Sequence, residues 1–143
     1  AKGAYMAADM ARICKRYDIE LHFNKHFPMM NTRPLTCATI RLADDPDQQM
    51  KLFEAAWKHV WGNPDGGIET GDEAQFKTAF ASEGFDADAL WALGNDPQSK
   101  AMLRANTDEA VERGAFGSPT FFVGDEMFFG HDRLDYAEEA LMA

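Results

Sequence analysis

At 143 residues and 16.0 kDa the chain has the length of one ordinary domain, enough to bury a real core. A formal net charge of -10, with Lys and Arg scattered rather than clustered, argues against nucleic acid, because a polyanion meets a repulsive field and no local basic face offsets it. Although 45% of the residues are hydrophobic, charges interrupt them everywhere. No run approaches the roughly 18 apolar residues of a membrane span, so no membrane partner is expected.

Tyr5, Met6, Met10 and Ile13 recur at helical spacing opposite Asp9, Arg12 and Lys15, which predicts an amphipathic helix over 4–17. Residues 19–23, "IELHF", alternate and predict a short extended piece, followed by the proline-punctuated loop "FPMMNTRP". From there to Gly114 the pattern is helical. "LTCATIRLA" forms the first helix, and Asp45-Pro46 opens the second with a cap residue and a proline at the first helical position. Met50, Phe53, Trp57, Val60 and Trp61 then mark one apolar face, expected to be buried.

Thr70 and Glu73 have the spacing of a capping box, ahead of a helix striped with Phe76 and Phe80. Leu90 and Trp91 belong to a short helix after Phe85-Asp86. Asp96-Pro97 starts another, carrying Met102, Leu103, Ala110 and Val111 and stopped by Gly114. These Met and aromatic stripes are expected in the core. Only then does β structure appear, as "TFFV" (120–123) and "MFFG" (127–130) around a polar turn at Gly124-Asp125-Glu126. Both strands are nearly all apolar, which predicts cover on both faces and more strands than the hairpin itself supplies.

Cys14 and Cys37 have neither CxxC spacing nor the companions of a zinc site. They fit small buried hydrophobes in a reduced, cytoplasmic setting, and no metal is expected. His22, His26 and His59 lack partners at ligand spacing and are assigned no chemistry. The chain opens on "AKGAYMAADM", without an initiator Met and directly in a helix, which leaves room for a preceding segment. Pro119, just before the first strand, admits two explanations. A strand's first residue tolerates proline; alternatively, a cis bond after Ser118 turns the main chain of Ser118 toward a ligand.

The stretch "GAFGSPTFFVGDEMFFGHDRLDYAEEAL", with "SKAMLRANTDEAVERG" before it and "AKGAYMAADMARICKRY" and "FP" near the start, resembles the 2-hydroxychromene-2-carboxylate isomerase family, relatives of kappa-class glutathione transferases and DsbA-like proteins. The resemblance implies an α/β, thioredoxin-like fold interrupted by an all-helical insertion. Residues 1–18 and 114–143 would form the thioredoxin-like part and 19–113 the insertion. The family's first βαβ unit, carrying the serine that holds the glutathione thiolate, is expected upstream of Ala1, so no catalytic residue is assigned within the chain.

By the same resemblance, Ser118 and Pro119 match the position before the cis-proline and the cis-proline itself, where an extended cysteinyl backbone pairs with the main chain of Ser118. Lys2 matches a lysine that approaches the glycyl carboxylate of glutathione. His131 and Asp132 would meet the γ-glutamyl group, Asp132 through the amine and His131 through its backbone; kappa-class relatives carry a small hydroxyl residue in place of His131. The implied activity is glutathione-dependent isomerisation of a small aromatic substrate by a homodimer in aromatic-compound catabolism. Alternatives are a kappa-class-like glutathione transferase, a DsbA-like disulfide oxidoreductase with an upstream CxxC, and a non-catalytic binding or scaffold protein.

Overall fold

The computed structural model describes residues 2–143. They divide into two compact units, one ending at Met102 and the other spanning Leu103–Ala143. The first unit holds α1 (Lys2–Tyr17), α2 (Arg33–Arg41), α3 (Pro46–Val60), α4 (Glu73–Ser82), α5 (Ala87–Asn95) and the first part of α6 (Pro97–Glu112). No helix among the described residues is long and apolar enough to cross a membrane.

The core of the first unit gathers Ala38 from α2, Leu52 and Ala55 from α3, Phe76 and Phe80 from α4, and Leu90 from α5. Phe76 sits at its centre, its ring 4.5 Å from that of Phe80 and 5.1 Å from that of Trp91, within the range of favourable aromatic pairing. Helix starts are set by aspartates, whose carboxylates accept from otherwise orphan first-turn N–H groups. Asp45 accepts from Gln48 N at 3.1 Å, Asp72 from Gln75 N at 2.9 Å and Asp86 from Ala89 N at 3.0 Å. Pro46 occupies the first turn of α3, as its sequence predicts.

Four expectations for this unit are corrected. The cap of α4 is Asp72 and not Thr70; Thr70 is completely buried and its hydroxyl donates to Asn31 O at 2.8 Å. The apolar face predicted for α3 is split. Leu52, Ala55 and Val60 point inward, whereas Met50, Phe53 and Trp57 are 58%, 51% and 44% exposed. Helix α1 contributes no buried residue, and its Tyr5, Met6 and Met10 are exposed. The extended piece expected at 19–23 is irregular chain, held by His22 N donating to Trp61 O at 2.6 Å.

In the second unit α6 ends before Gly114, which has φ 93°. β1 (Thr120–Val123) and β2 (Glu126–Phe129) pair antiparallel, with Thr120 opposite Phe129 and Val123 opposite Glu126. The connection is therefore only Gly124-Asp125, and Gly124 at φ 58° supplies the left-handed first position of a II′-type hairpin turn. A 3-10 turn, His131–Arg133, leads into α7 (Leu134–Met142), which packs on both strands. Arg113 ties the end of α6 to the hairpin: its guanidinium lies 3.9 Å from the centre of the Phe122 ring and donates to Gly124 O at 2.7 Å. Cover on both faces, expected from the apolar strand sequences, is not found among the described residues. β1 is half-buried and β2 mostly exposed, because the described sheet has two strands and α7 covers only part of it.

Candidate functional site

The hairpin gathers four of the five residues singled out from the sequence. The Ser118-Pro119 bond is cis, and Pro119 O accepts from Gly130 N at 2.9 Å, one step beyond the Thr120–Phe129 pair. That bond places Ser118 and Pro119, leading into β1, beside the turn bearing His131 and Asp132 that follows β2. Neither the N–H nor the C=O of Ser118 has a hydrogen-bond partner among the described residues. Two unpaired main-chain groups at the open end of a ladder are what an added extended strand requires. Gly117 borders the same place, where a side chain would press on the Phe129 ring. Thr120 Oγ1 closes the preceding bend by donating to Gly117 O at 2.7 Å.

His131 and Asp132 lie in the 3-10 turn and are exposed. Asp132 is already engaged: Arg133 Nη1 donates to its Oδ2 at 2.9 Å and to its main-chain oxygen at 3.1 Å. The pair is solvent-facing, so its intrinsic energy is small, and the carboxylate keeps acceptor capacity for a second donor. Arg133 was missed in the sequence although it stands beside Asp132 in "HDRLD"; adjacency alone does not say that two side chains turn toward each other. Lys2, the fifth residue, begins α1 in the first unit and is exposed.

Elsewhere, histidines have partners that the sequence does not reveal. His59 Nε2 lies 2.8 Å from Glu83 Oε1, which also accepts from Lys58 Nζ at 2.8 Å. Lys58 first, then His59, hold the Glu83 carboxyl below its usual range. His22 Nε2 lies 2.9 Å from Glu20. No group of three His, Cys, Asp or Glu side chains that could hold a metal occurs among the described residues. Cys37 is buried, Cys14 half-buried, and both are free thiols. A shallow groove of about 400 Å³ is lined by His59, Ile68, Ala74, Gln75, Thr78, Ala79 and Ser82. It contains none of the residues predicted for glutathione.

The chain belongs to the DsbA-like thioredoxin domain family, which matches residues 1–142. Among curated relatives, the 2-hydroxychromene-2-carboxylate isomerase of Sphingobium xenophagum is 33% identical over 137 residues, covering 96% of this chain and 67% of that protein. Human glutathione S-transferase kappa 1 is 26% identical, with 94% and 63% covered. A solved structure of 2-hydroxychromene-2-carboxylate isomerase superposes with a TM-score of 0.81 at 27% identity, over 99% of this chain and 66% of that one. Within the DsbA-like class, the chain therefore falls in the 2-hydroxychromene-2-carboxylate isomerase family, and its fold is the helix-rich DsbA-like thioredoxin fold. It spans about two thirds of the length of these relatives.

Proposed function

We propose that the protein is a glutathione-using isomerase of the 2-hydroxychromene-2-carboxylate type, acting on a small aromatic substrate in aromatic-compound catabolism. The observation that carries this reading is the unpaired main chain of Ser118 beside the Asp132 turn, in a chain 33% identical to a protein of that name. The free N–H and C=O of Ser118 suit the backbone of an extended cysteinyl residue. Asp132 suits the ammonium of a γ-glutamyl group, and Arg133, already at its side, keeps further N–H donors for the neighbouring carboxylate. Lys2 would meet the glycyl carboxylate, and His131 would contribute its backbone. Glutathione, when bound, supplies a nucleophilic thiol that adds to the conjugated substrate and departs after isomerisation, dividing one hard step into easier ones. The residues named here bind and orient it; none of them moves a proton in this scheme. A homodimer and a cytoplasmic location belong to the same reading.

A second reading, a kappa-class-like glutathione transferase, is favoured by the 26% identity to the human kappa enzyme. It differs in whether the glutathione adduct is released as product. The two separate in a product assay with a chromene carboxylate, in which an isomerase consumes no glutathione.

The binding site is tested by titration calorimetry with glutathione. Asp132→Asn is expected to weaken binding by about 1.5–3 kcal/mol, the range for hydrogen bonds to charged groups, with little change in turnover at saturating glutathione. Unchanged affinity would mean that Asp132 serves only its turn and Arg133. Absence of glutathione binding by the unsubstituted protein would overturn the reading.

A further inference from the structure

Asp132 behaves unlike the other aspartates that stand at helix starts. Asp45, Asp72 and Asp86 each turn the carboxylate onto a first-turn N–H of their own helix. Asp132 stands two residues before α7, yet no side chain caps either the 3-10 turn or α7. Among the described residues the only donor to its carboxylate is Arg133 Nη1, on Oδ2, and Oδ1 has no hydrogen-bond partner. A carboxylate left out of capping keeps its acceptor capacity for another donor.

Two neighbours decide where that carboxylate sits. The first is Gly130, whose N–H donates to Pro119 O at 2.9 Å and so forms the last rung of the hairpin, next to Ser118. A methyl group on Gly130 would lie 2.5 Å from Asp132 Oδ1, well inside van der Waals contact. Oδ1 therefore occupies the volume that a side chain at this position would take. Gly130 also has φ 104°, a backbone conformation that glycine adopts without steric cost.

The second neighbour is Arg133. Its Nη1 donates both to Asp132 Oδ2 at 2.9 Å and to the Asp132 main-chain oxygen at 3.1 Å, so a single nitrogen ties the side chain of Asp132 to its own backbone. Arg133 is itself held. Its N–H donates to Gly130 O at 3.2 Å and closes the turn, and its guanidinium lies 5.9 Å from the centre of the Tyr136 ring, within cation–π reach. The Arg133 and Asp132 side chains are 49% and 63% exposed, so the ion pair contributes little to stability. Its effect is on direction: Oδ2 faces Arg133, and Oδ1 is left against Gly130 at the end of the ladder.

We propose that Gly130 and Arg133 are positioning residues, which preset the Asp132 carboxylate as the receptor for the ammonium of a γ-glutamyl group. The choice of ligand rests on the functional reading above; the inference deepens it by naming the residues that fix the receptor and the reason why position 130 carries glycine. A receptor set in advance removes the ordering cost that binding would otherwise carry.

The test compares, by titration calorimetry, glutathione with 4-carboxybutanoyl-cysteinylglycine, the same molecule without its amine. The ratio of the two dissociation constants reports the ammonium alone, because any contact of Arg133 with the adjoining carboxylate is common to both ligands. The unsubstituted protein should prefer glutathione about 10- to 150-fold, the value of a hydrogen bond to a charged group, and Asp132→Asn should abolish most of that preference. Gly130→Ala and Arg133→Gln should each cut it about 5-fold or more, the value of one hydrogen bond. Neither should cut it further in the Asp132→Asn background. Gly114→Ala is the control: it strains the backbone at φ 93° with nothing within 4 Å of the added methyl, and should leave the preference unchanged. Circular dichroism verifies folding, and Arg133→Gln, at an exposed side chain, carries the test by itself should Gly130→Ala not fold.

A preference unchanged in Arg133→Gln or in folded Gly130→Ala overturns the proposal, even where both ligands bind more weakly, because the residue then serves the fold or touches the ligand directly. A further loss in the Asp132→Asn background overturns it as well. An unsubstituted protein that binds neither ligand, or binds both equally, removes the earlier reading of Asp132 and this proposal together. A preference that depends on Asp132 but on neither neighbour removes only this proposal.

Discussion

Gly94 offers a sharp test of how closely two helices of the first unit approach. It lies in α5, is buried, and faces the start of α2. A methyl group at this position would overlap the carbonyl oxygen of Pro34 and lie 3.0 Å and 3.2 Å from its carbonyl carbon and Cα. All three are backbone atoms, so no side chain can swing aside. Alanine in a helix interior is worth about 1 kcal/mol over glycine, whereas overpacking costs typically 1–3 kcal/mol and more against backbone. Taking the top of that range, because the obstacle is backbone, Gly94→Ala should therefore destabilise by about 2 kcal/mol or more net. Urea unfolding followed by circular dichroism would show a lower midpoint at unchanged slope. Gly3→Ala is the control, since nothing lies within 4 Å of its added methyl; it should be neutral or stabilising by up to about 1 kcal/mol. If Gly94→Ala matches Gly3→Ala, the α2–α5 approach is looser than described and the packing argument fails.

Thr70→Val should cost about 1–3 kcal/mol in the same assay, because it strands the carbonyl of Asn31, and Asp72→Ala should cost about 1 kcal/mol through the lost α4 cap. No loss in Asp72→Ala would show that Asp72 is not the cap of α4. Glu83 gives a pH signature. Its carboxyl is depressed from about 4.5 by Lys58 and His59, so its contribution is present above the unfolded value and is lost as pH falls through the lower native value. Glu83→Gln should reduce thermal stability at neutral pH and flatten the acid limb of the stability curve; an acid limb identical to that of the unsubstituted protein would show the pair to be idle.

Much of this architecture is legible in the sequence because it rests on local signals. Thr120–Val123 matches the predicted first strand residue for residue, and Asp45 caps the helix it was expected to open. β2 begins one residue early, at Glu126, because a two-residue turn brings Glu126 into the ladder despite its polarity. The capping box failed where two candidate oxygens, Thr70 and Asp72, lie two residues apart and only tertiary structure decides between them. Periodicity in α3 shows which residues share a face but not which face is inward; Leu52 and Ala55 fit against Phe76 and Phe80, and the bulkier Phe53 and Trp57 do not. The candidate site was visible as a constellation in "GSPTFF" and "GHDRLD", but the Gly130–Pro119 bond that joins its halves and the Arg133 partner of Asp132 are matters of geometry.

Asn24, in the loop after α1 whose His22 N is held by Trp61 O, is buried, and its side chain carries a chemical vulnerability as well as a mechanical role. Its amide nitrogen faces two carbonyl oxygens, Val60 O and Ile68 O, so the loop depends on the single difference between an NH2 and an oxygen. Spontaneous deamidation, the ageing reaction of asparagine, would replace that donor with a negatively charged acceptor pressed against two others, at a side chain that is buried. Attraction would become repulsion at both contacts. The loop bearing Phe23 and Phe27 would then lose both of its side-chain ties to the chain at Val60 and Ile68 through a change of one mass unit.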